Sequence, residues 1–223
     1  MMTKSVFMKK LDRQRKQHYI DEMVRQIDRL FPLEPNIKDA LLSVDREIFV
    51  SDIFKHLAYS LDALPMDSEQ WISSPLTVAK MTQYLEPNNC DSVLEIGCGS
   101  GYQAAVLSKL FRRVFTIERI DSLLQEARAR FRELGISNIN SKFDDGRRGW
   151  SSFAPFDRIL FSASPKEIPQ IIFDQLADGG ILVAPVEEYG LQTITRYYKR
   201  GGKITSEVIE TCCFVPVKEG KEY

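Results

Sequence analysis

The residues with the clearest chemical potential are Glu95-Ile96-Gly97-Cys98-Gly99-Ser100-Gly101. Three glycines at alternate positions follow a short apolar run, and a helix-like stretch, 102–110, comes directly after them. Glycine lets the backbone turn tightly and approach a ligand with no Cβ in the way. The helix start behind it offers unpaired N–H groups and a positive dipole end to an anion. Seventeen residues beyond Gly101, Glu118 closes a second apolar run, where a carboxylate can accept both hydroxyls of a ribose. Asp145-Gly146 follows a third run, where an acid can accept from an adenine amino group. Glycine loop, ribose acid and adenine acid stand in the order a doubly wound sheet needs to line one crevice. Tyr102 occupies the place that a small residue takes in a dinucleotide G-x-G-x-x-G fingerprint, so the loop reads as G-x-G-x-G. The set points to a nucleoside-bearing cofactor.

Those residues need elements to hold them. Runs 93–96, 113–117, 139–143, 156–161 and 181–186 read as strands, with helices over 102–110, 121–134 and 169–176. Such alternation predicts a parallel sheet covered on both faces. Ahead of it, Ile20, Met23, Val24, Ile27, Leu30 and Phe31 recur at helical spacing within 1–31, and Arg13, Arg15, Lys16, Arg25 and Arg29 read as its solvated face. Pro32 and Pro35 end that pattern, and Asn36 is placed to cap a second helix reaching about Val44. Residues 61–74 read as irregular; Ser73 or Ser74 then caps a helix that has Pro75 in its first turn and stops before Pro87. At the other end, 191–199 and 203–209 flank Gly201-Gly202 as a hairpin, and 212–217 reads as a further strand. The expectation is a single domain, 1–223, in which 1–88 form a helical cap with a substrate-side loop and 89–223 form the α/β core.

Composition narrows the class. The 223 residues carry 43% hydrophobic and 27% charged side chains with a formal net charge of −1, so no overall basic field draws the chain to nucleic acid. Cys90, Cys98, Cys212 and Cys213 show no CxxC spacing, and His18 and His56 pair with nothing that resembles a metal site. The first fifteen residues lack an apolar core, and no run reaches the length of a membrane span. A cytoplasmic chain with free thiols and no metal, acting as a monomer or weak oligomer, is expected.

Longer stretches resemble one family. Val93-Leu94-Glu95-Ile96-Gly97-Cys98-Gly99-Ser100-Gly101-Tyr102-Gln103 is similar to motif I of the protein-L-isoaspartate O-methyltransferases. The likeness continues through Phe115-Thr116-Ile117-Glu118-Arg119-Ile120, Asp145-Gly146, Ala154-Pro155-Phe156-Asp157 and Gly179-Gly180-Ile181-Leu182-Val183-Ala184-Pro185-Val186. Upstream it takes in Arg46-Glu47-Ile48-Phe49-Val50 and Ile72-Ser73, and near the end Phe214-Val215-Pro216. The resemblance implies a class I S-adenosylmethionine-dependent methyltransferase fold: a seven-stranded, Rossmann-like sheet with an N-terminal helical cap and a C-terminal antiparallel hairpin. It implies methylation of the free carboxyl of L-isoaspartyl and D-aspartyl residues in damaged peptides and proteins, as the first step of repair. It places the cofactor on Glu95, Gly97, Cys98, Gly99, Ser100, Gly101, Gln103, Glu118, Arg119, Asp145 and Gly146. Ser73 becomes the catalytic candidate, with Trp71, Ile72, Ala163 and Gln192 on the substrate side.

The chemistry suits these residues. An acceptor carboxyl with a pKa of about 4 is already ionised at neutral pH, so no strong general base is needed. The protein must instead supply alignment, which can be worth on the order of 7–11 kcal/mol. Ser73 is expected to orient the acceptor carboxylate. The family pattern is broken on the substrate side: Met66-Asp67-Ser68-Glu69-Gln70-Trp71 stands where relatives carry a glycine-containing loop, and Glu187 follows Pro185-Val186 in place of glycine. Asp67 and Glu69 would repel an anionic peptide, and Trp71 would narrow the groove or stack on a different acceptor. A methyltransferase of altered specificity and a non-catalytic cofactor-binding paralogue therefore stay open beside the repair enzyme.

Overall fold

The computed structural model describes residues 4–223. Its centre is a seven-stranded sheet of β3 (Ser92–Ile96), β4 (Arg113–Glu118), β5 (Ile139–Phe143), β6 (Phe156–Phe161), β7 (Leu176–Glu188), β8 (Leu191–Arg200) and β9 (Lys203–Cys212), in the order β5-β4-β3-β6-β7-β8-β9. The strands from β5 across to β7 run parallel, and β8 and β9 add an antiparallel hairpin. Chain order reverses beside β3, which pairs with β4 on one side and β6 on the other. That is the switch point where an open α/β sheet leaves a crevice.

Successive side chains of a strand point to opposite faces, and both faces are covered here. Val93, Val114, Leu160 and Val183 belong to one buried cluster, while Leu94, Phe115, Ile159 and Leu182 belong to the other. α4 (Tyr102–Leu107) and α5 (Asp121–Glu133) pack into the first cluster. So do three helices or helix pieces that precede the sheet: α1 (Lys4–Leu30), α2 (Pro35–Leu42) and α3 (Pro75–Tyr84). Ile20, Met23, Val24 and Ile27 bury one stripe of α1, and Arg13, Arg15, Arg25 and Arg29 lie exposed. Lys16 instead pairs with Glu47 at 2.6 Å.

Several expectations are revised. Leu30 is exposed at the very end of α1, although Ile27 in the same turn is still fully buried. The residue capping α2 is Glu34, with Pro35 at the first helical position; Asn36 uses its side chain one residue on, at the amide of Ile37. Residues 61–74 are not irregular: β1 (Leu64–Pro65) and β2 (Trp71–Ile72) form a small antiparallel hairpin. The helix near 169–176 is short, α6 (Gln170–Asp174), because the chain joins β7 already at Leu176. Residues 212–217 form no further strand beyond β9. They leave the sheet edge, bonded to Gln192 of β8 through Phe214 and bridged to the loop after β6 by Pro216 with Ser164.

Candidate active site

The glycine loop sits where β3 ends. Gly97, Gly99 and Gly101 all take positive φ, at 97°, 52° and 90°. A side chain is strained in that region, and at Gly101 a Cβ would also meet the Phe131 ring at 2.7 Å. The amides of Gly97 and Cys98 both donate to the Ile117 carbonyl, which ties the loop to the neighbouring strand. Helix α4 starts at once behind the loop, its first residue Tyr102 fully buried.

Two strand-end acids face this loop, and their environments differ. Glu118 ends β4; its carboxylate accepts from the amides of Arg119 and Ile120 through Oε1 and from Gly99 N, at 2.8 Å, through Oε2. Three amides fix the carboxylate's direction at the lip of the crevice. Glu95 lies fully buried within β3, accepting from the hydroxyls of Thr116 at 2.6 Å and Ser162 at 3.0 Å. Burial pushes its pKa up to about 8, against the pull of those two bonds. Burial, first of all, and then the charges of Glu95 and Glu118 also hold the Cys98 thiol well above its ordinary range, so it is a small packed residue and not a thiolate.

One crevice collects most of the expected residues. Its empty space, counting the open mouth, is about 1010 Å³. Its walls include Glu95, the whole 97–100 loop, Gln103, Glu118, Arg119 and Gly146, with Ala163 beside Gly97, and, from the hairpin segment, Trp71, Ile72 and Ser73. Gly101 stands just behind the wall, as the turn into α4. Asp145 and Gln192 do not line it.

The carboxylate of Asp145 is already engaged. It accepts from the Arg147 amide and guanidinium and, at 2.9 Å, from Gly220 N near the end of the chain. Burial would raise its pKa, but the bonds from Arg147 and Gly220 prevail and lower it to about 2. Gln192 spends both ends of its amide on Phe214, donating to its carbonyl and accepting from its N–H. That pins the tail, and the tail makes a wall of the crevice with Phe214, Val215, Pro216, Val217 and Lys218. Arg119 adds a clamp, donating to Gly220 O at 3.0 Å and pairing with Glu222 at 2.9 Å.

On the opposite side, β1 and β2 present Trp71, 54% exposed, at the mouth. Met66 N donates to Gln70 O across the hairpin, and the turn is made by Ser68 and Glu69, both at positive φ without being glycine. Ser74, not Ser73, caps α3: its hydroxyl accepts from Leu76 N and donates to Leu61 O. The capping reading of Ser73 is thereby removed, and Ser73 stands on the crevice wall. Thr77, Val78 and Met81 of α3 also line the crevice and were not expected from the sequence. Their apolar and hydroxyl types at helical spacing look like ordinary core.

A family model for protein-L-isoaspartate(D-aspartate) O-methyltransferase matches residues 14–222. The chain belongs to that family. The protein-L-isoaspartate O-methyltransferase of Helicobacter pylori strain P12 is 57% identical over 199 residues, covering 89% of this chain and 95% of that protein. Its counterpart in Maricaulis maris is 45% identical over 188 residues, covering 84% and 88%. Among solved structures, a putative protein-L-isoaspartate O-methyltransferase from Plasmodium falciparum, in complex with S-adenosyl-L-homocysteine, matches with a TM-score of 0.80 at 22% identity. It covers 89% of this chain and 97% of that one. A second protein-L-isoaspartate O-methyltransferase structure matches with a TM-score of 0.84 at 23% identity, over 91% of this chain and 67% of that one. At such identities the two structures speak for the fold, which is the seven-stranded class I methyltransferase sheet expected above.

Within this member of the isoaspartate methyltransferase family, the 66–71 turn forms a tight hairpin. Ser68 and Glu69 hold the left-handed geometry at a cost on the order of 1–2 kcal/mol each.

Proposed function

We propose that this chain transfers a methyl group from S-adenosylmethionine to the free carboxylate of L-isoaspartyl and D-aspartyl residues in damaged peptides and proteins, initiating their repair. The observation that carries the reading is one crevice with a glycine loop and an amide-fixed Glu118 on one wall and Ser73 on the other. The residues suit the cofactor. The loop presents backbone with no Cβ at Gly97 and Gly99, where a Cβ at Gly99 would meet nothing within 4 Å, and Glu118 Oε2 keeps lone-pair capacity beyond its single bond from Gly99. Glu118 would take the ribose hydroxyls, the 97–101 loop and Gln103 the methionine end, and Gly146 with the 214–218 tail the flanks of the adenine. Asp145 would act there through the tail it holds.

The bound cofactor would supply an electrophilic methyl group that needs no activation by the protein. The chain's own part is to orient and to exclude water. Ser73, freed from capping duty by Ser74, would direct the acceptor carboxylate, while Trp71 and Ile72 shape its approach. Gln192 would serve the substrate side indirectly, by fixing Phe214.

Four free cysteines and an even charge balance support work in a reducing cytosol on protein rather than nucleic acid. Among the described residues, no helix is long and apolar enough to cross a membrane. We also infer that cap and core fold as one unit, since a single buried cluster includes Met23, Leu41, Val78 and Val106.

Incubation with methyl-labelled cofactor and an isoaspartyl peptide tests the proposal. Base-labile label released as methanol is the expected result. Cofactor binding without any such label overturns the substrate assignment, and base-stable label on another acceptor supports the reading of altered specificity, which the exposed Trp71 and the acids Asp67 and Glu69 favour.

A further inference from the structure

Arg46 is the largest fully buried side chain, at 0% exposure, and no carboxylate oxygen of the described residues lies within ion-pair distance of it. A cation so placed is costly unless its donors are used for something an apolar side chain would not supply. Its two terminal nitrogens converge on three carbonyls of the 58–73 stretch, while Nε has no partner among the described residues. Nη1 donates to Ala58 O at 2.7 Å, and Nη2 donates to Asp62 O at 3.1 Å and to Ser73 O at 3.0 Å. Ala58 is where the chain enters the loop that carries the β1–β2 hairpin, and Ser73 is where it leaves. One guanidinium therefore closes the base of the loop. Its central carbon also lies 5.8 Å from the centre of the Tyr102 ring, the first residue of α4 directly behind Gly101.

We infer that Arg46 is the positioning residue that sets the hairpin carrying Trp71 and Ser73 in register with the glycine loop, through its bond to the Ser73 carbonyl and its seat on Tyr102. The inference rests on the proposed reaction for its kinetic consequence, and on geometry alone for the placement of the hairpin. The type of residue matters: the planar fork of arginine reaches the carbonyls of Ala58, Asp62 and Ser73 together, and an ammonium cannot span them.

The test compares Arg46→Gln with the gentler Arg46→Lys, both in a Trp150→Phe background in which Trp71 is the one remaining tryptophan. Three quantities are measured: S-adenosylhomocysteine affinity, the kinetics with an isoaspartyl peptide, and Trp71 fluorescence anisotropy. Misplacement of a reacting group by about 1 Å is worth about 10²-fold in rate, so kcat/KM should fall by that order in Arg46→Gln and by about tenfold in Arg46→Lys. The peptide KM should rise, Trp71 anisotropy should drop, and cofactor affinity should stay within about threefold of the parent, as expected when the lost interaction lies on the peptide side. A loss of kcat at unchanged peptide KM and unchanged anisotropy overturns the inference, because that is the mark of fewer folded molecules. So does a parallel loss of cofactor affinity. If the parent turns over no isoaspartyl peptide, the proposed reaction fails, and the anisotropy still decides whether Arg46 holds the hairpin.

Discussion

The two walls of the crevice are built in different ways. The cofactor-side wall is backbone held by the sheet: glycines at positive φ, amides on the Ile117 carbonyl, and a carboxylate fixed by three N–H groups. The peptide-side wall is a two-residue-by-two-residue hairpin outside the main sheet, tied at its base by one arginine and open to solvent at Trp71. The first is held by bonds to the strands beside it, and at Gly101 by the Phe131 ring, which leaves no room for a side chain there. The second holds Ser68 and Glu69 at positive φ, because an exposed turn has room to accept local strain. On the proposed reaction, that division would serve a cofactor held by the rigid wall and a peptide met by the exposed one.

The sharpest way to break the contrast is on the rigid side. Gly101→Ala places a Cβ against the Phe131 ring and in a backbone region that side chains avoid. It should cost about 2 kcal/mol or more and abolish detectable cofactor binding, as read by thermal melts and calorimetry. An alanine at the exposed Gly202, also at positive φ but with nothing within 4 Å of its Cβ, should carry the backbone strain alone, without the clash, and leave cofactor binding unchanged.

The buried Glu95 gives the rigid wall a pH signature. The folded carboxyl keeps its proton up to about pH 8, whereas an ordinary one releases it near 4.5. The folded state therefore holds the extra proton in that window, and this contribution to stability is whole below 4.5 and lost as pH rises through about 8. Glu95→Gln should remove the slope; denaturant midpoints that fall with pH just as steeply in the variant would count against it.

Glu118→Gln comes next. Exchanging the charged acceptor should weaken S-adenosylhomocysteine binding by about 2 kcal/mol while leaving the peptide KM at saturating cofactor unchanged. Ser73→Ala should do the reverse at smaller cost, lowering kcat/KM for an isoaspartyl peptide by about 1 kcal/mol with no change in cofactor affinity. Cross-effects between this pair, in calorimetry and steady-state kinetics, would erase the distinction between the walls.

Much of this was legible in the chain. Glycine spacing, the apolar runs and the acid at the end of β4 are local signals, because a turn needs its glycines and a buried strand its apolar residues within a few positions. The hairpin over 64–72 was missed, since two-residue strands leave no alternation to read. The choice between Ser73 and Ser74 as cap was equally out of reach, because either hydroxyl stands next to the helix start and only the path of the backbone selects one.

The sequence by itself determined the sheet, the glycine loop and the family. The tertiary structure decided which polar groups remain available in the crevice. Asp145 is spoken for by Gly220, Gln192 by Phe214 and Arg46 by the carbonyl of Ser73. Each of these bonds joins residues that are from twenty-two to seventy-five positions apart. A hydrogen bond between such positions leaves no periodicity in the chain, so it becomes visible only when folding brings its two ends together.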